Sequence, residues 1–197
     1  MPLSEDFVRS RLRPFEHRIS KIIVAAWNDF LSIGVRHKFL YSRTRANIVF
    51  DLIAGGAIVE FNSDPNVRII QQDETIKILV DDTILLRIKK ASDDGLGSNI
   101  PTQSVLAFVC QEPDIPGLLP DIYKVEICYF EDAIGAEIAS VRVTARDDDV
   151  MLWSYEICKA GPATAEIIPF PSAPGDDSPP DVTPRESDED KKSDDEG

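Results

Sequence analysis

The hydrophobic pattern of this chain changes its period once, at residues 62–66 (NSDPN). Before this turn-forming segment, apolar residues recur every three or four positions, as they do along one side of an α-helix. After it, short runs of Ile, Val and Leu alternate with polar residues, as they do in β-strands. Helical segments followed by a series of strands favour an α+β fold over one in which helices and strands alternate.

Two helices are predicted before the turn. Residues 14–32 carry apolar side chains at helical spacing and are followed by Gly34, a helix-stop signal. Residues 43–61 repeat this pattern, although they contain Gly55 and Gly56, and each glycine costs up to about 1 kcal/mol relative to alanine in a helix. The glycine pair therefore indicates either close packing against the first helix or a break in the second.

Six strands are predicted after the turn. They are residues 67–70, 75–80, 83–88, 123–130, 137–145 and 150–157. Short polar turns join the first three strands and also the last two, which is typical of antiparallel hairpins. Residues 102–110 are predicted as a short helix or a strand. The predicted fold class is α+β, with two N-terminal helices followed by a mainly antiparallel sheet of about six strands.

The second predicted strand indicates how the sheet is buried. Ile76, Ile78 and Val80 alternate with Lys77 and Leu79. This alternation is typical of a sheet that packs one face against the core and leaves the other face in solvent. We therefore expect a half-buried sheet.

The composition of the chain changes again near residue 160. Residues 160–197 are rich in Pro, Ser, Asp and Glu, so they cannot bury enough apolar surface to offset the entropy cost of folding. Residues 1–159 contain enough apolar residues for one domain of ordinary size. The predicted organisation is a single α+β domain at 1–159 and a disordered, acidic C-terminal tail at 160–197.

The formal net charge of −14 is unevenly distributed along the chain. Residues 1–45 contain nine Lys and Arg against four Asp and Glu, residues 46–159 contain nine against twenty, and residues 160–197 contain three against eleven. An acidic body disfavours duplex DNA as a partner, because DNA binding requires cations that neutralise phosphates. An acidic sheet and tail instead favour a protein partner, and a basic one would be complementary.

The loop after the third predicted strand is the best candidate for a functional site. Residues 87–103 combine cations, a glycine-containing turn and hydrogen-bonding side chains. The backbone N–H groups near Gly95 and Gly97 could bind a phosphate, but Asp93 and Asp94 would repel one, and a plain connection is the alternative. With two arginines from the second helix, the candidate ligand- or partner-binding residues are Arg43, Arg45, Lys89, Lys90, Ser98, Asn99, Thr102 and Gln103.

Other functional classes lack a motif in this sequence. His17 and His37 fall on different predicted elements, and no H-E-x-x-H or C-x-x-C motif is present, so no metal site and no cofactor are predicted. The G-x-S-x-G motif that many nucleophilic enzymes carry is absent from the sequence. The three cysteines, Cys110, Cys128 and Cys158, are expected to be free thiols in the protein interior.

The sequence also bears on localisation. The N-terminal residues lack the apolar core of a signal peptide, and no segment reaches the roughly 18 consecutive apolar residues of a membrane span. We therefore expect a cytoplasmic protein with no membrane association. The sequence leaves the oligomeric state open.

Three segments resemble an uncharacterised family of small bacterial proteins from mobile-element or defence-type gene neighbourhoods. They are RTRANIVFD at residues 43–51, GSNIPTQ at 97–103 and IPGLLPDIYKVEICY at 115–129. The resemblance covers roughly residues 12–157 and leaves out the tail. It implies a regulatory or toxin–antitoxin-like setting and supplies no catalytic residues.

Two functions follow as hypotheses. The first is a non-enzymatic cytosolic interaction or regulatory protein whose acidic sheet and tail bind a basic protein partner. The alternative is a nucleotide- or nucleic-acid-binding protein that uses the basic N-terminal third and the 89–103 loop. The alternative requires Arg43, Arg45, Lys89 and Lys90 to converge in one cleft with Asn99 or Gln103.

Overall fold

Three helices precede the sheet, one more than the sequence predicts. The computed structural model of the chain describes residues 4–72, 74–98, 102–111 and 122–159. The helices are α1 (Glu5–Leu12), α2 (Glu16–Ser32) and α3 (Ser42–Phe61), with a 3-10 turn at Arg36–Lys38 between the last two. The additional helix α1 follows Ser4, whose hydroxyl accepts a hydrogen bond from the Phe7 N–H, and it buries Val8 and Leu12. A cap and two apolar residues four positions apart suffice for a short helix that packs on a core.

The glycine pair does not break α3. A Cβ atom on Gly56 would lie 3.1 Å from Cγ2 of Ile22, so this glycine allows α2 and α3 to approach closely. Gly55 faces open space, with nothing within 4 Å of an added Cβ atom. Close packing against the first predicted helix, one of the two interpretations of the pair, is therefore confirmed for Gly56.

An ion-pair cluster joins α2 to the end of α3. Arg18 donates hydrogen bonds to Asp64 at 2.5 Å and to Glu60 at 2.7 Å. The hydrogen bond from Arg18 is the largest cause that holds the pKa of Asp64 below its ordinary value. The cluster fixes the far end of the helix pair relative to the turn that leads into the sheet.

Six strands form one sheet in which the spatial order follows the sequence. They are β1 (Val67–Gln72), β2 (Thr75–Val80), β3 (Ile84–Lys90), β4 (Tyr123–Glu131), β5 (Ile138–Asp147) and β6 (Val150–Lys159). Neighbouring strands are antiparallel except for β3 and β4, which are parallel. The predicted α+β class and mainly antiparallel sheet are confirmed, whereas the parallel pair makes the sheet mixed.

The parallel pair requires a crossover, because a tight hairpin can join only antiparallel strands. The crossover contains α4 (Gln103–Val109), so the helix is the correct alternative for residues 102–110. Thr102 caps α4 by accepting a hydrogen bond from the Val105 N–H at 3.3 Å. Lys124 of β4 donates a hydrogen bond to the Ala107 carbonyl near the other end at 3.0 Å. The cap closes the first turn of α4, and the Lys124 contact holds the helix against the sheet.

The sheet is buried on both faces over its central strands. The first face packs on α1, α2 and α3 through fully buried residues such as Leu86, Ile127 and Val143. On the second face, α4 buries Leu79 and Leu85. We call these the α1–α3 face and the α4 face of the sheet.

The prediction of a half-buried sheet is wrong for β2. Lys77 and Leu79, which alternate with the core residues of this strand, are also buried. The physical reason is the crossover: a connection between parallel strands must pass over one face, and α4 lies there. The sequence of β2 by itself carries no sign of this cover.

All described residues belong to one compact unit, and the predictions for residues 160–197 lie outside the described part of the chain. Among the described helices, none is long and apolar enough to cross a membrane.

Candidate functional site

The glycine-containing loop that follows β3 is closely hydrogen-bonded to itself. Residues 91–98, which we call the β3 loop, close when the Ser92 N–H donates to the Leu96 carbonyl and the Ser98 N–H donates to the Lys90 carbonyl, both at 2.8 Å. Gly95 has a φ of +82°, the left-handed region that glycine adopts without strain. Leu96 is buried beneath the loop. These contacts give the loop a defined structure of its own.

The buried Glu126 anchors the β3 loop to the sheet. Its Oε2 atom accepts a hydrogen bond from the Gly97 N–H at 3.1 Å and lies 3.5 Å from Nη1 of Arg146. A Cβ atom on residue 97 would lie 2.7 Å from the same oxygen, so only glycine fits there. The amide that the sequence offers for phosphate binding thus already binds a carboxylate of the protein. This contact holds the start of the crossover on the α4 face.

Lys89 lies on this α4 face with Arg87 and Glu126. Burial is the main cause that lowers the pKa of Lys89, and the positive charge of Arg87 adds to it. Burial also lowers the pKa of Arg87, while Glu126 acts in the opposite direction. The Arg87 guanidinium lies 4.8 Å from the ring centroid of Phe108 in α4. These cations are part of the packing between sheet and crossover.

Lys90 lies on the opposite, α1–α3 face, because successive residues of a strand point to opposite faces. It forms an ion pair with Glu131 at the end of β4. Arg45 of α3 is 3.4 Å from the same Oε1 atom. Of the predicted residues, Arg45 and Lys90 are therefore brought together, and a carboxylate of the protein lies between them.

The remaining predicted residues lie elsewhere. Arg43 stacks over the Tyr41 ring at 5.5 Å from its centroid. Thr102 is the cap of α4, Ser98 and Gln103 are exposed, and Asn99 lies outside the described residues. Because Lys89 and Lys90 lie on opposite faces of the sheet, the four cations do not converge in the single cleft that the nucleotide-binding hypothesis requires.

Chemical reactivity is low at the buried cysteine. Burial raises the pKa of Cys128 to about 12, which keeps the thiol protonated and unreactive at neutral pH. Cys110 and Cys158 are partly buried free thiols. Within the described residues, no group of three His, Cys, Asp or Glu side chains could hold a metal ion.

The outer side of α3 is a surface that sequence reasoning missed. Between Ala46 and Val59 its polar side chains are Asn47 and Asp51 alone, and both are exposed. A helix of this composition is normally surrounded by protein. Yet α3 lies at the surface, with Val59 82% exposed and Gly55 facing open space. The outer side of α3 thus presents exposed Val59 and Gly55 beside the polar Asn47 and Asp51.

A groove of about 380 Å³ runs beside this helix, between α3 and the β1–β2 hairpin. We call it the α3 groove. Its lining residues are Phe50, Asp51, Ala54, Ile58, Gln71, Gln72, Glu74, Thr75 and Ile76. Four of them are apolar and come from both elements, and the polar ones are acidic or uncharged. The groove therefore combines apolar contact area with carboxylates, and none of its described lining residues is a cation.

The two carboxylates of the α3 groove are available to a partner. Neither Asp51 nor Glu74 forms an ion pair with another described residue. Glu74 has a φ of +55°, a conformation that costs a non-glycine residue roughly 1 kcal/mol or more. An apolar site with unpaired carboxylates can bind a segment that presents an apolar side chain beside Lys or Arg.

The sequence contains a signal for this surface. A helical stripe identifies the buried side of a helix, and residues 43–61 carry further apolar residues outside that stripe, at Ile48, Leu52 and Val59. That excess of apolar residues indicates a second packing partner for the helix. The groove itself depends on the β1–β2 hairpin lying beside α3, which the linear pattern does not encode.

Comparisons of the chain with protein-family models, with curated proteins and with solved structures find no match.

Proposed function

We propose that this chain is a non-enzymatic interaction protein that binds a protein partner through the α3 groove and the adjoining outer side of α3. The observation that carries the proposal is the α3 groove: an apolar floor, two carboxylates without ion-pair partners and no cation in its lining. We prefer this site to the 89–103 loop, because Lys90 is paired with Glu131 and Lys89 is half-buried on the opposite face of the sheet.

The chemistry of the groove defines the partner segment. Phe50, Ala54, Ile58 and Ile76 offer apolar contacts, and burying one Leu-sized side chain there would contribute roughly 1.5–3 kcal/mol. A Lys or Arg beside that side chain would meet Asp51 or Glu74. Exposed charge pairs add orientation and association rate more than affinity, so binding should weaken as salt increases.

The charge of the domain supports a basic segment on the partner. Residues 46–159 contain twenty Asp and Glu against nine Lys and Arg, which favours contact with a locally cationic segment. On the resemblance to proteins from defence-type gene neighbourhoods, we place this binding in a regulatory setting, such as toxin–antitoxin control.

A pull-down with matched variants tests the proposal. The tagged full chain is incubated with lysate of its source cells, and bound proteins and nucleic acids are identified by mass spectrometry and sequencing. The groove variant carries Glu74→Lys. The control carries Glu137→Lys, which makes the same charge change at another exposed site. We expect the wild type and the control to recover one stoichiometric protein. The groove variant should recover at least ten-fold less of that protein.

Two results would contradict the proposal. One is equal recovery of the partner by the groove variant and the control. The other is recovery of nucleic acid or nucleotide in place of a protein, which would return the function to the basic N-terminal third.

A further inference from the structure

The exposed row of residues on α3 carries a positive charge and a negative charge at equal distances from Asn47. Arg43 and Asp51 lie four positions to either side of Asn47, which is about 6 Å along the helix axis in each direction. All three side chains are exposed. Neither charged residue forms an ion pair with another described residue, and the contact of Arg43 is with the Tyr41 ring. A row of this kind is complementary to its own copy when two such helices run antiparallel.

We propose that a second copy of this chain occupies the outer side of α3, with the two α3 helices antiparallel about a two-fold axis at Asn47. The inference rests on the proposed function, because it names the occupant of that same surface. In this arrangement Arg43 faces the partner's Asp51, and Asp51 faces the partner's Arg43. The uncharged Asn47 meets the partner's Asn47, so the axis brings no like charges together.

The apolar residues around α3 fit the same symmetry. Leu40 and Tyr41, just before α3, are 86% and 62% exposed. The two-fold axis brings this segment of each copy to the second half of the partner's α3. There Ala54 lines the α3 groove, and Gly55 leaves open space for an incoming side chain. The exposed apolar residues of one copy thus meet the apolar floor of the other.

In the same arrangement, the cations near Leu40 lie close to the α3 groove of the second copy. The chain contains no Asp or Glu between Asp29 and Asp51, and the 3-10 turn at Arg36–Lys38 precedes the exposed apolar residues. The α3 groove contains carboxylates and no cation. Residues 36–40 are basic and apolar, and the α3 groove is acidic and apolar. One two-fold axis can bring this segment of each copy to the groove of the other.

A charge-exchange experiment tests this arrangement. The mass of the full chain in solution is measured by light scattering at about 100 μM. We expect a dimer of about 44 kDa, twice the 21.9 kDa of one chain. Arg43→Glu alone and Asp51→Arg alone should each raise the dimer Kd at least ten-fold. The double variant, and an equimolar mixture of the two single variants, should restore the dimer. Asp29→Lys is the control for an exposed charge elsewhere and should leave the dimer unchanged.

The inference is overturned if the wild type is monomeric at this concentration. It is also overturned if the single variants dimerise as the wild type does, or if the double variant fails to recover. Circular dichroism of each variant separates loss of the dimer from loss of folding.

The outcome is distinguishable from that of the proposed function. A monomeric wild type whose Glu74→Lys variant loses a lysate protein would remove the second copy as the occupant and keep the α3 groove as a protein-binding site. The opposite result is a dimer with charge-exchange rescue, together with equal recovery of the lysate protein by Glu74→Lys and its control. It would support the second copy as the occupant and contradict binding of a lysate protein in the α3 groove.

Discussion

Both faces of the sheet are buried over its central strands, but they are held in different ways. The α1–α3 face is closed by apolar side chains from three helices. The α4 face has a small apolar cluster and, beside it, buried charges that include Arg87, Glu126 and Arg146. Apolar packing gains free energy from area alone, whereas buried charges are stable only when each one keeps its partners. We therefore expect the first face to respond to lost volume and the second to lost charge or lost geometry.

The largest expected effect comes from the α1–α3 face. Ile127→Ala removes most of a fully buried side chain from β4 and should lower the free energy of unfolding by about 4 kcal/mol. The neighbouring Cys128 is equally buried but points to the α4 face, and Cys128→Ala should cost about 1 kcal/mol. Urea unfolding of both variants measures the difference. A loss below about 2 kcal/mol for Ile127→Ala would show that the α1–α3 face does not depend on apolar volume.

The next effect tests the buried charge. Glu126→Gln keeps the shape of the side chain but removes the negative charge beside Arg146, Arg87 and Lys89. Removing one member of a buried ion pair leaves cations uncompensated, so we expect a loss of about 3 kcal/mol in the free energy of unfolding. Glu137→Gln, at an exposed position, is the matched control and should change little. A loss below about 1 kcal/mol would mean that the cations of the α4 face do not depend on Glu126.

A smaller effect tests the geometry of the same contact. Gly97→Ala places a Cβ atom 2.7 Å from the Glu126 carboxylate and 2.8 Å from Cβ of Lys89, so the β3 loop must shift. We expect a loss of about 2 kcal/mol by urea unfolding. The control is Gly34→Ala, where an added Cβ atom meets nothing within 4 Å. If both variants are equally stable, the loop does not need its close approach to β4.

The smallest effect shows whether burial, rather than charge itself, distinguishes the α4 face. Asp64→Asn breaks a more accessible ion pair with Arg18 and should cost about 1 kcal/mol at neutral pH. The folded protein lowers the pKa of Asp64, so its contribution is present above the unfolded pKa of about 4 and is lost as the pH falls through the folded value. Unfolding curves of wild type and variant should therefore converge in acid. A difference that does not shrink as the pH falls would assign the effect to another cause.

The dispersal of the predicted site residues over two faces of the sheet follows from local geometry, and part of this geometry can be read from the sequence. Lys89 and Lys90 are adjacent in a strand, and the period of two already places them on opposite faces. Applying that period to the candidate residues predicts that they cannot all share one cleft. The α3 groove could be anticipated only in part, from the apolar residues that 46–59 carry outside the buried stripe.

The sequence by itself determined the helices α2 and α3, the six strands and the mainly antiparallel sheet, because periodicity and turn residues act over a few positions. Tertiary structure alone decided that β3 and β4 are parallel and that α4 covers β2. It also decided that the β1–β2 hairpin forms a groove with α3. Each of these features depends on segments far apart in the chain coming into contact, and the free energy of such contacts arises from the surfaces that meet rather than from either segment alone.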